Sequence, residues 1–450
     1  MPQVPHRTTS PSPPAAIAPA RACAYTVLRR VFERGAYADR AFAAEAAALD
    51  ARDRALAMRL AYGAVQRAGT LDHLLEQLCE RPPEALDPPL LAALRLGLYE
   101  LLYSSGAPDY AIVGDAVELA KSGARAGHGL VNAVLRRAAR EGPGALLGAL
   151  GDDTPEQAAV KHSHPEWIAR LWWDALGPAD ARALMAADNE PLEVALRANT
   201  LLTDAPALAA RLPVRTHADP EIPEALVLEQ AFDAHRSPLW QQGAFHAQSR
   251  AAMRVSRTLD PAPDERVLDL CAAPGGKSTH LGALMAARGE VLAVERNPRR
   301  AAALERTARR LHASNVRVQV ADAAAERPPG ERFDRVLVDP PCSGLGTLQA
   351  RADLRWRVSP RAIEELTDVQ ARILAAGAHA VRPGGVLVYS TCTISPAENE
   401  HLIAAFLDSH PEFGLDGPDG LDGGARAAQQ LTLPHRDHTA GFFSARMRRD

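Results

Sequence analysis

The chain has 450 residues, a formal net charge of −4 and a hydrophobic content of 47%, which is typical of a globular protein. This length exceeds a single hydrophobic core, so two or three domains are expected. No apolar run reaches the ~18 residues that a membrane span requires. The overall charge gives no sign of nucleic-acid binding, although it does not exclude a local basic patch.

The first 20 residues, MPQVPHRTTSPSPPAAIAPA, are rich in proline, serine and alanine, and they predict a disordered tail. From residue 21 to about 145, hydrophobic residues recur every three to four positions, which predicts an all-α bundle. In its first helix one face is formed by Ala24, Val27, Leu28, Val31 and Phe32, and Gly35 is expected to end the helix. Nothing in this half indicates catalysis.

Residues 141–155, EGPGALLGALGDDTP, predict a linker because of their glycine and proline content. A short helix, HPEWIARLWWDALG, and a strand within LEVALRANT follow. From about Asp264 the pattern changes to short apolar runs that alternate with helical segments, namely RVLDL, VLAVE, VRVQVAD, RVLVD and GVLVYST. This alternation predicts a parallel sheet with helices on both faces.

The loop CAAPGGK follows the first strand of that predicted sheet. Its small residues allow a ligand to approach the backbone, and a helix from about Ser278 would direct its positive end at the ligand. The loop is not the phosphate loop GxxxxGK[ST], because Cys271 stands where the first glycine is required, and it is not GxGxxG. It indicates a cofactor site without a phosphate cradle.

Three acids follow three strands of the same sheet: Glu295, Asp322 and Asp339. Each alone is explained as a helix cap or a turn residue, but all three lie at one sheet edge with the glycine loop. A carboxylate after the second strand is suited to a ribose diol. Together they indicate a bound nucleoside, and S-adenosylmethionine fits a site that lacks a phosphate cradle.

The five cysteines are an odd number at wide spacing, which is a poor disulfide framework and favours a reducing, cytoplasmic compartment. No tight Cys/His cluster predicts a metal site. Cys342 and Cys392 each follow a predicted strand. Packing explains one such cysteine, but two at neighbouring strand ends favour a nucleophile.

A thiol beside a methyl donor predicts methylation of a pyrimidine at carbon 5. That carbon is a poor nucleophile until a thiolate adds to carbon 6. Lys277 is a candidate cation for stabilising the thiolate, and Asp339 is a candidate for holding the N3/N4 edge of the ring. The spacing does not decide which cysteine attacks.

Four motifs occur in order: DLCAAPGGKSTHL, VLVDPPCSGLGTLQARADLRWR, VYSTCTISPAENE and GFFSARMRR. With them the chain resembles, over about residues 155–450, the RNA cytosine-C5 methyltransferases of the Sun/Fmu and NOL-NOP type. The helical half, with LVNAVLRR near its end, resembles a NusB-like RNA-binding domain. The combination is similar to the bacterial enzymes that modify 16S rRNA.

The resemblance implies a NusB-like domain over 21–145, a linker and small α/β RNA-binding subdomain over 146–250, and a Rossmann-like class I methyltransferase domain over 251–450. It implies contacts to S-adenosylmethionine from the loop and the three acids, namely Cys271, Ala272, Ala273, Pro274, Gly275, Gly276, Lys277, Glu295, Asp322 and Asp339.

The resemblance also implies the catalytic roles. Cys392 of the TC motif is the nucleophile, and Cys342 releases the methylated RNA, with Asp339 and Lys277 beside them. The expected RNA contacts are Arg351, Arg355 and Arg357. No metal, membrane or obligate protein partner is expected.

Some positions depart from the family pattern: Glu295 replaces an aspartate, Ser249 follows Gln248 where aspartate is usual, and Ala440 precedes Gly441 in place of aspartate. Two alternatives stay open. One is a tRNA substrate, and the other is a non-catalytic RNA-binding assembly factor. The complete set of Cys392, Cys342, Asp339 and AAPGGK argues against the second.

Overall fold

A computed structural model describes residues 17–191, 193–324, 332–417 and 428–450. The helices are α1 (Pro19–Arg34), α2 (Ala38–Glu45), α3 (Ala51–Gln66), α4 (Ala68–Cys79), α5 (Pro88–Tyr103), α6 (Asp109–Gly123), α7 (His128–Gly148), α8 (Pro155–His162), α9 (Glu166–Leu176), α10 (Pro178–Ala187), α11 (Ala205–Ala209), α12 (Pro238–Gln241), α13 (Arg250–Leu259), α14 (Gly276–Leu284), α15 (Pro298–Arg310), α16 (Pro360–Ala380), α17 (Glu400–Ser409) and α18 (Pro434–Asp437).

The strands are β1 (Ala195–Ala198), β2 (Thr216–Ala218), β3 (Ala225–Leu228), β4 (Phe245–Ala247), β5 (Arg266–Leu270), β6 (Glu290–Val294), β7 (Val316–Gln319), β8 (Phe333–Val338), β9 (Val381–Thr391), β10 (Phe413–Leu415), β11 (Gln429–Thr432) and β12 (Phe442–Arg449). None of the helices described here combines the length and the apolar character needed to cross a membrane. The chain divides into two units, at residues 1–166 and 167–450.

The first unit is helical throughout its described part, as the hydrophobic spacing predicts. Most of the predicted tail lies outside the described residues, but α1 begins inside it at Pro19, a residue favoured at a helix start. Gly35 ends α1 with a φ of +63°. The predicted face of α1 is buried except for Phe32, which is 36% exposed and lies beneath the guanidinium of Arg95. Phe32 is at the edge of the apolar stripe rather than in it.

The predicted linker over residues 141–155 is helical in its first half. A break at Gly142, with a φ of +78°, separates two helical segments within α7, and Pro143 starts the second. After the loop, α8 packs on α4, where the Thr70 hydroxyl donates to the Val160 carbonyl at 2.6 Å. The segment through α8 therefore belongs with the helical bundle rather than with the small subdomain.

In the second unit, α9 and α10 are followed by a small antiparallel sheet in the order β2-β3-β1-β4. Apolar side chains from its strands and from α11 form a core of their own, which includes Leu196, Leu208, Leu226 and Phe245. This sheet agrees with the strand predicted within LEVALRANT.

The large sheet has the order β10-β12-β9-β8-β5-β6-β7, with β11 paired to β12. The strands from β5 to β9 are parallel, as predicted, whereas β10, β11 and β12 add antiparallel pairs. Successive residues of β8 enter different cores: Val336 and Val338 one, and Leu337 the other. Both faces are therefore covered by helices, and the predicted α/β class is confirmed.

The position of the site follows from this topology. The chain runs from β5 to β6 and β7, then returns to the other side of β5 to form β8 and β9. In open α/β sheets, ligands bind beyond the carboxyl ends of the strands at such a reversal. The loops after β5, β8 and β9 meet at this edge.

Candidate active site

Two cysteines lie together beyond neighbouring parallel strands. Cys342 comes four residues after β8, and Cys392 directly follows β9. Their sulfur atoms are 3.4 Å apart, and both are free thiols, partly accessible from outside. The expectation that the two cysteines share one sheet edge therefore agrees with the geometry.

The pKa values of the two thiols are shifted in opposite directions. The pKa of Cys392 is lowered because its sulfur accepts a hydrogen bond from Cys342 and because the Arg351 guanidinium stabilises a negative charge, while burial opposes both effects. The pKa of Cys342 is raised well above its ordinary value by the bond that it donates and by burial. A thiolate is therefore favoured at Cys392 and a thiol at Cys342.

A partly buried ion pair lies beside the thiols. The Lys277 ammonium donates to Asp339 Oδ2 at 2.7 Å, and the Ser390 hydroxyl donates to Asp339 Oδ1 at 2.7 Å. Burial alone would lower the pKa of Lys277, but Asp339 reverses the effect and raises it. Lys277 thus has Asp339 as its direct partner and stabilises the Cys392 thiolate only weakly, after Arg351.

The loop after β5 is held in a strained, well-anchored conformation. Cys271 has a φ of +64° and Gly275 a φ of +99°, where an added Cβ would lie 2.9 Å from Leu304. Arg300 donates to the Ala273 carbonyl at 2.6 Å. Helix α14 begins at Gly276, two residues before the predicted start, so its unpaired N–H groups face the sheet edge.

A cleft lies beside this loop, and Cys271, Glu295 and Asp322 are among its lining residues. The Glu295 carboxylate is 3% exposed and accepts from the Asn297 backbone at 2.9 Å, and Asp322 accepts from the Ala324 backbone at 3.0 Å. Burial raises the pKa of the Cys271 thiol to about 12, so this third cysteine stays neutral.

Asp339 is close to both Cys271 and Cys392, since its charge contributes to raising the pKa of each. The geometry therefore brings the three predicted acids to one edge of the sheet. Within the described residues, no group of three His, Cys, Asp or Glu side chains is placed to hold a metal ion.

The three arginines expected to bind RNA have different environments. Arg351 is exposed beside the Cys392 sulfur. Arg355 is 0% exposed and donates to the Asn189 side chain and the Asp188 carbonyl, so the expectation that it contacts RNA is wrong. Arg357 is ion-paired with Asp353. An alternation of arginines in a loop could not distinguish the buried one from the exposed one.

Sequence reasoning missed Arg197, which lies on β1 and is almost fully buried. Its guanidinium donates to the Gly276 carbonyl at 2.5 Å and to the Gln248 side chain at 2.6 Å. Burial lowers its pKa to about 9. It joins the small sheet to the start of α14, and the signal was an arginine within an otherwise apolar strand.

Two departures from the family pattern have structural explanations. Ser249 caps α13 by accepting from the Ala252 backbone, a role that serine and aspartate share. Gly441 donates to the Gly346 carbonyl at 2.7 Å, and an added Cβ would lie 2.8 Å from the Gly346 backbone. The glycine of that motif is therefore needed for packing, whichever residue precedes it.

Three family models match the chain. The model described as 16S rRNA methyltransferase RsmB/F matches residues 256–448, the NusB family matches 18–140, and the ferredoxin-like domain of RsmF/B-like methyltransferases matches 164–235.

The chain is 36% identical to a probable ribosomal RNA small subunit methyltransferase B from Synechocystis, over 96% of this chain and 99% of that one. It is 34% identical to a probable ribosomal RNA small subunit methyltransferase B from Bacillus subtilis, over 89% and 92%. Among solved structures, PH0851 superposes with a TM-score of 0.78 and 27% identity, and covers 97% of this chain and 100% of that one.

Proposed function

Since the chain belongs to the RsmB/F family of 16S rRNA methyltransferases, we propose that it methylates carbon 5 of a cytosine in 16S rRNA through a covalent bond from Cys392 to carbon 6. The observation that carries this proposal is the pair of thiols 3.4 Å apart, with the pKa of one lowered and of the other raised. At this distance one sulfur can accept a hydrogen bond from the other, which is the arrangement that the proposed nucleophile and its release partner require.

The reaction begins at Cys392. Its thiolate forms a bond to carbon 6, and the electron pair of the 5,6 double bond moves to carbon 5, which becomes nucleophilic. S-adenosylmethionine supplies the electrophilic methyl group when bound. Loss of the carbon 5 proton to a base restores the double bond as the bond between sulfur and carbon 6 breaks and the thiolate leaves. The Cys342 thiol, hydrogen-bonded to the departing sulfur, stabilises its negative charge.

The residues at the sheet edge are suited to the methyl donor. The free N–H groups at the start of α14 favour a carboxylate, which the amino-acid part of the donor carries. The Glu295 carboxylate is suited to the ribose hydroxyls, and Cys271 and Asp322 line the same cleft. Asp339 lies on the side of the thiols, where a carboxylate accepts from the cytosine N4 amino group.

The rRNA substrate is inferred from the names of the two relatives, which are small-subunit rRNA methyltransferases. We assign RNA binding to the NusB-like helices over residues 21–145 and to the small sheet, with Arg351 as the contact nearest the thiols. This assignment favours 16S rRNA over tRNA as the substrate.

The test is to trap the covalent intermediate. Cys342→Ala should accumulate an RNA–protein adduct that survives a denaturing gel, and the double variant with Cys392→Ala should not. Cys79→Ala, in the helical unit, is the control and should turn over normally. Absence of the adduct in Cys342→Ala would reject the release role.

The substrate is tested separately. Bisulfite sequencing of 16S rRNA and tRNA from a strain that lacks the protein should show one cytosine of 16S rRNA that loses its methyl group. A lost methyl group in tRNA alone would establish the tRNA alternative instead.

A further inference from the structure

Glu398 is a fully buried carboxylate that the mechanism above does not use. It lies six residues after Cys392, in a single 3₁₀ turn over Pro396–Glu398. A buried charge is costly unless hydrogen bonds compensate it, so its partners indicate what it stabilises.

The partners of Glu398 come from the residues that follow the two cysteines. Ser343, directly after Cys342, donates its backbone N–H to Oε1 at 2.8 Å and its hydroxyl to Oε2 at 2.5 Å. Thr393, directly after Cys392, has its hydroxyl 3.3 Å from Oε2 and 2.6 Å from the Ser343 hydroxyl. One carboxylate thus joins both cysteine loops.

Helix α16 and strand β9 complete the arrangement. Gln370 on α16 donates to Glu398 Oε1 at 2.9 Å and to the Pro341 carbonyl at 3.0 Å, next to Cys342. The Tyr389 hydroxyl donates to the Glu398 carbonyl at 2.8 Å. Both carboxylate oxygens therefore act as acceptors, which an amide in the same place could not reproduce.

The charges around the thiols are distributed unequally. Cys392 is acted on by Arg351 and Lys277, which favour its thiolate, and by Asp339, which opposes it. Glu398 acts on Cys342, where it adds to the hydrogen bond and to burial in raising the pKa. Tyr389 faces Cys342 as a neutral phenol, because burial raises its pKa well above its ordinary value.

We propose that Glu398 is a positioning residue, which fixes the separation of the two cysteines and keeps Cys342 as the protonated partner of Cys392. This inference rests on the proposed function, because it concerns the same pair of thiols. Glu398 acts through its hydrogen bonds to Ser343, Thr393 and Gln370, and through its charge, which adds to the raised pKa of Cys342.

The experiment measures the reactivity of each thiol in the full chain. Iodoacetamide labelling from pH 6 to pH 9, resolved by peptide mass spectrometry, gives separate rates for Cys392 and Cys342. In the unaltered protein Cys392 should react much faster. Glu398→Gln should lower the ratio of the two rates by about ten-fold, which corresponds to one pKa unit of lost difference. Methyl transfer should fall with it.

Two further variants separate positioning from general stability. Glu398→Asp keeps the charge and shortens its reach, so it should preserve the pH profile of labelling more closely than the amide while still slowing methyl transfer. Glu400→Gln, two residues along the chain and partly buried, is the matched control and should leave both labelling rates unchanged.

A Glu398→Gln protein that folds, with an unchanged labelling ratio and normal methyl transfer, overturns the inference. If that variant does not fold, Thr393→Val is tested instead, because it removes one hydroxyl that contacts Glu398 and keeps the side-chain shape. An unchanged labelling ratio in Thr393→Val also overturns the inference. Methyl transfer by Cys392→Ala would refute the proposed function itself, so the two failures are distinguishable.

Discussion

The loops after β8 and β9 have the same sequence pattern, but the pKa values of their cysteines are shifted in opposite directions. Each places a cysteine at the same edge of the sheet and follows it with a hydroxyl residue, Ser343 or Thr393. Nevertheless the pKa of Cys342 is raised and that of Cys392 is lowered. The comparison teaches that position at a strand end presents a thiol, while the hydrogen bond between the two thiols and the charges brought by other segments shift its pKa.

The largest effect is expected from removing the proposed nucleophile in the second loop. Cys392→Ala should reduce methyl transfer by at least about 10³-fold, because carbon 5 then lacks covalent activation. Binding of S-adenosylmethionine, measured by calorimetry, should stay unchanged, since Cys392 is not among the residues that line the cleft. Normal methyl transfer by Cys392→Ala would contradict the different roles proposed for the two loops.

Asp339→Asn is expected to have the next largest effect. Methyl transfer should fall by about 10²-fold because the variant loses a charged contact to the base. Labelling of Cys392 at neutral pH should become faster, because Asp339 opposes its thiolate. Parallel assays of labelling and methyl transfer check this, and a fall in both would contradict the assigned role.

Arg351→Gln should reduce the difference between the pKa values of Cys392 and Cys342 while both thiols remain. Arg351 lowers the pKa of Cys392, so its loss raises that pKa and reduces the thiolate fraction at neutral pH. Methyl transfer should fall roughly ten-fold at pH 7 for each unit of pKa change and recover as the pH rises. Arg361→Gln, at an exposed position on α16, is the control. An unshifted pH profile with a raised KM would leave Arg351 as an RNA contact only.

The smallest effect on methyl transfer is expected from Arg355, which anchors the first loop from inside. Arg355→Ala should lower the free energy of unfolding by about 3 kcal/mol, because it leaves buried partners uncompensated. The affinity for RNA of the folded fraction should not change. Urea unfolding and RNA binding check this, and weakened RNA binding at unchanged stability would restore Arg355 as a contact.

Much of the site could be predicted because the end of a strand can be recognised from a short stretch of sequence. The runs that end at Glu295, Asp339 and Cys392 have the strand pattern, and parallel strands bring their carboxyl ends to one edge. The family motifs added roles that spacing did not assign. Arg355 was placed wrongly because its burial depends on Asp188 and Asn189, more than 160 residues away in the chain.

The sequence by itself determined the order of helices and strands, the sheet edge of the proposed site and the presence of two thiols there, since these follow from hydrophobic periodicity and from the residues at strand ends. Only the tertiary structure decided in which direction the pKa of each thiol is shifted, that Lys277 is paired with Asp339, and that Glu398 connects both loops. Those properties depend on distances between charges from separate segments, and local sequence patterns do not specify such distances.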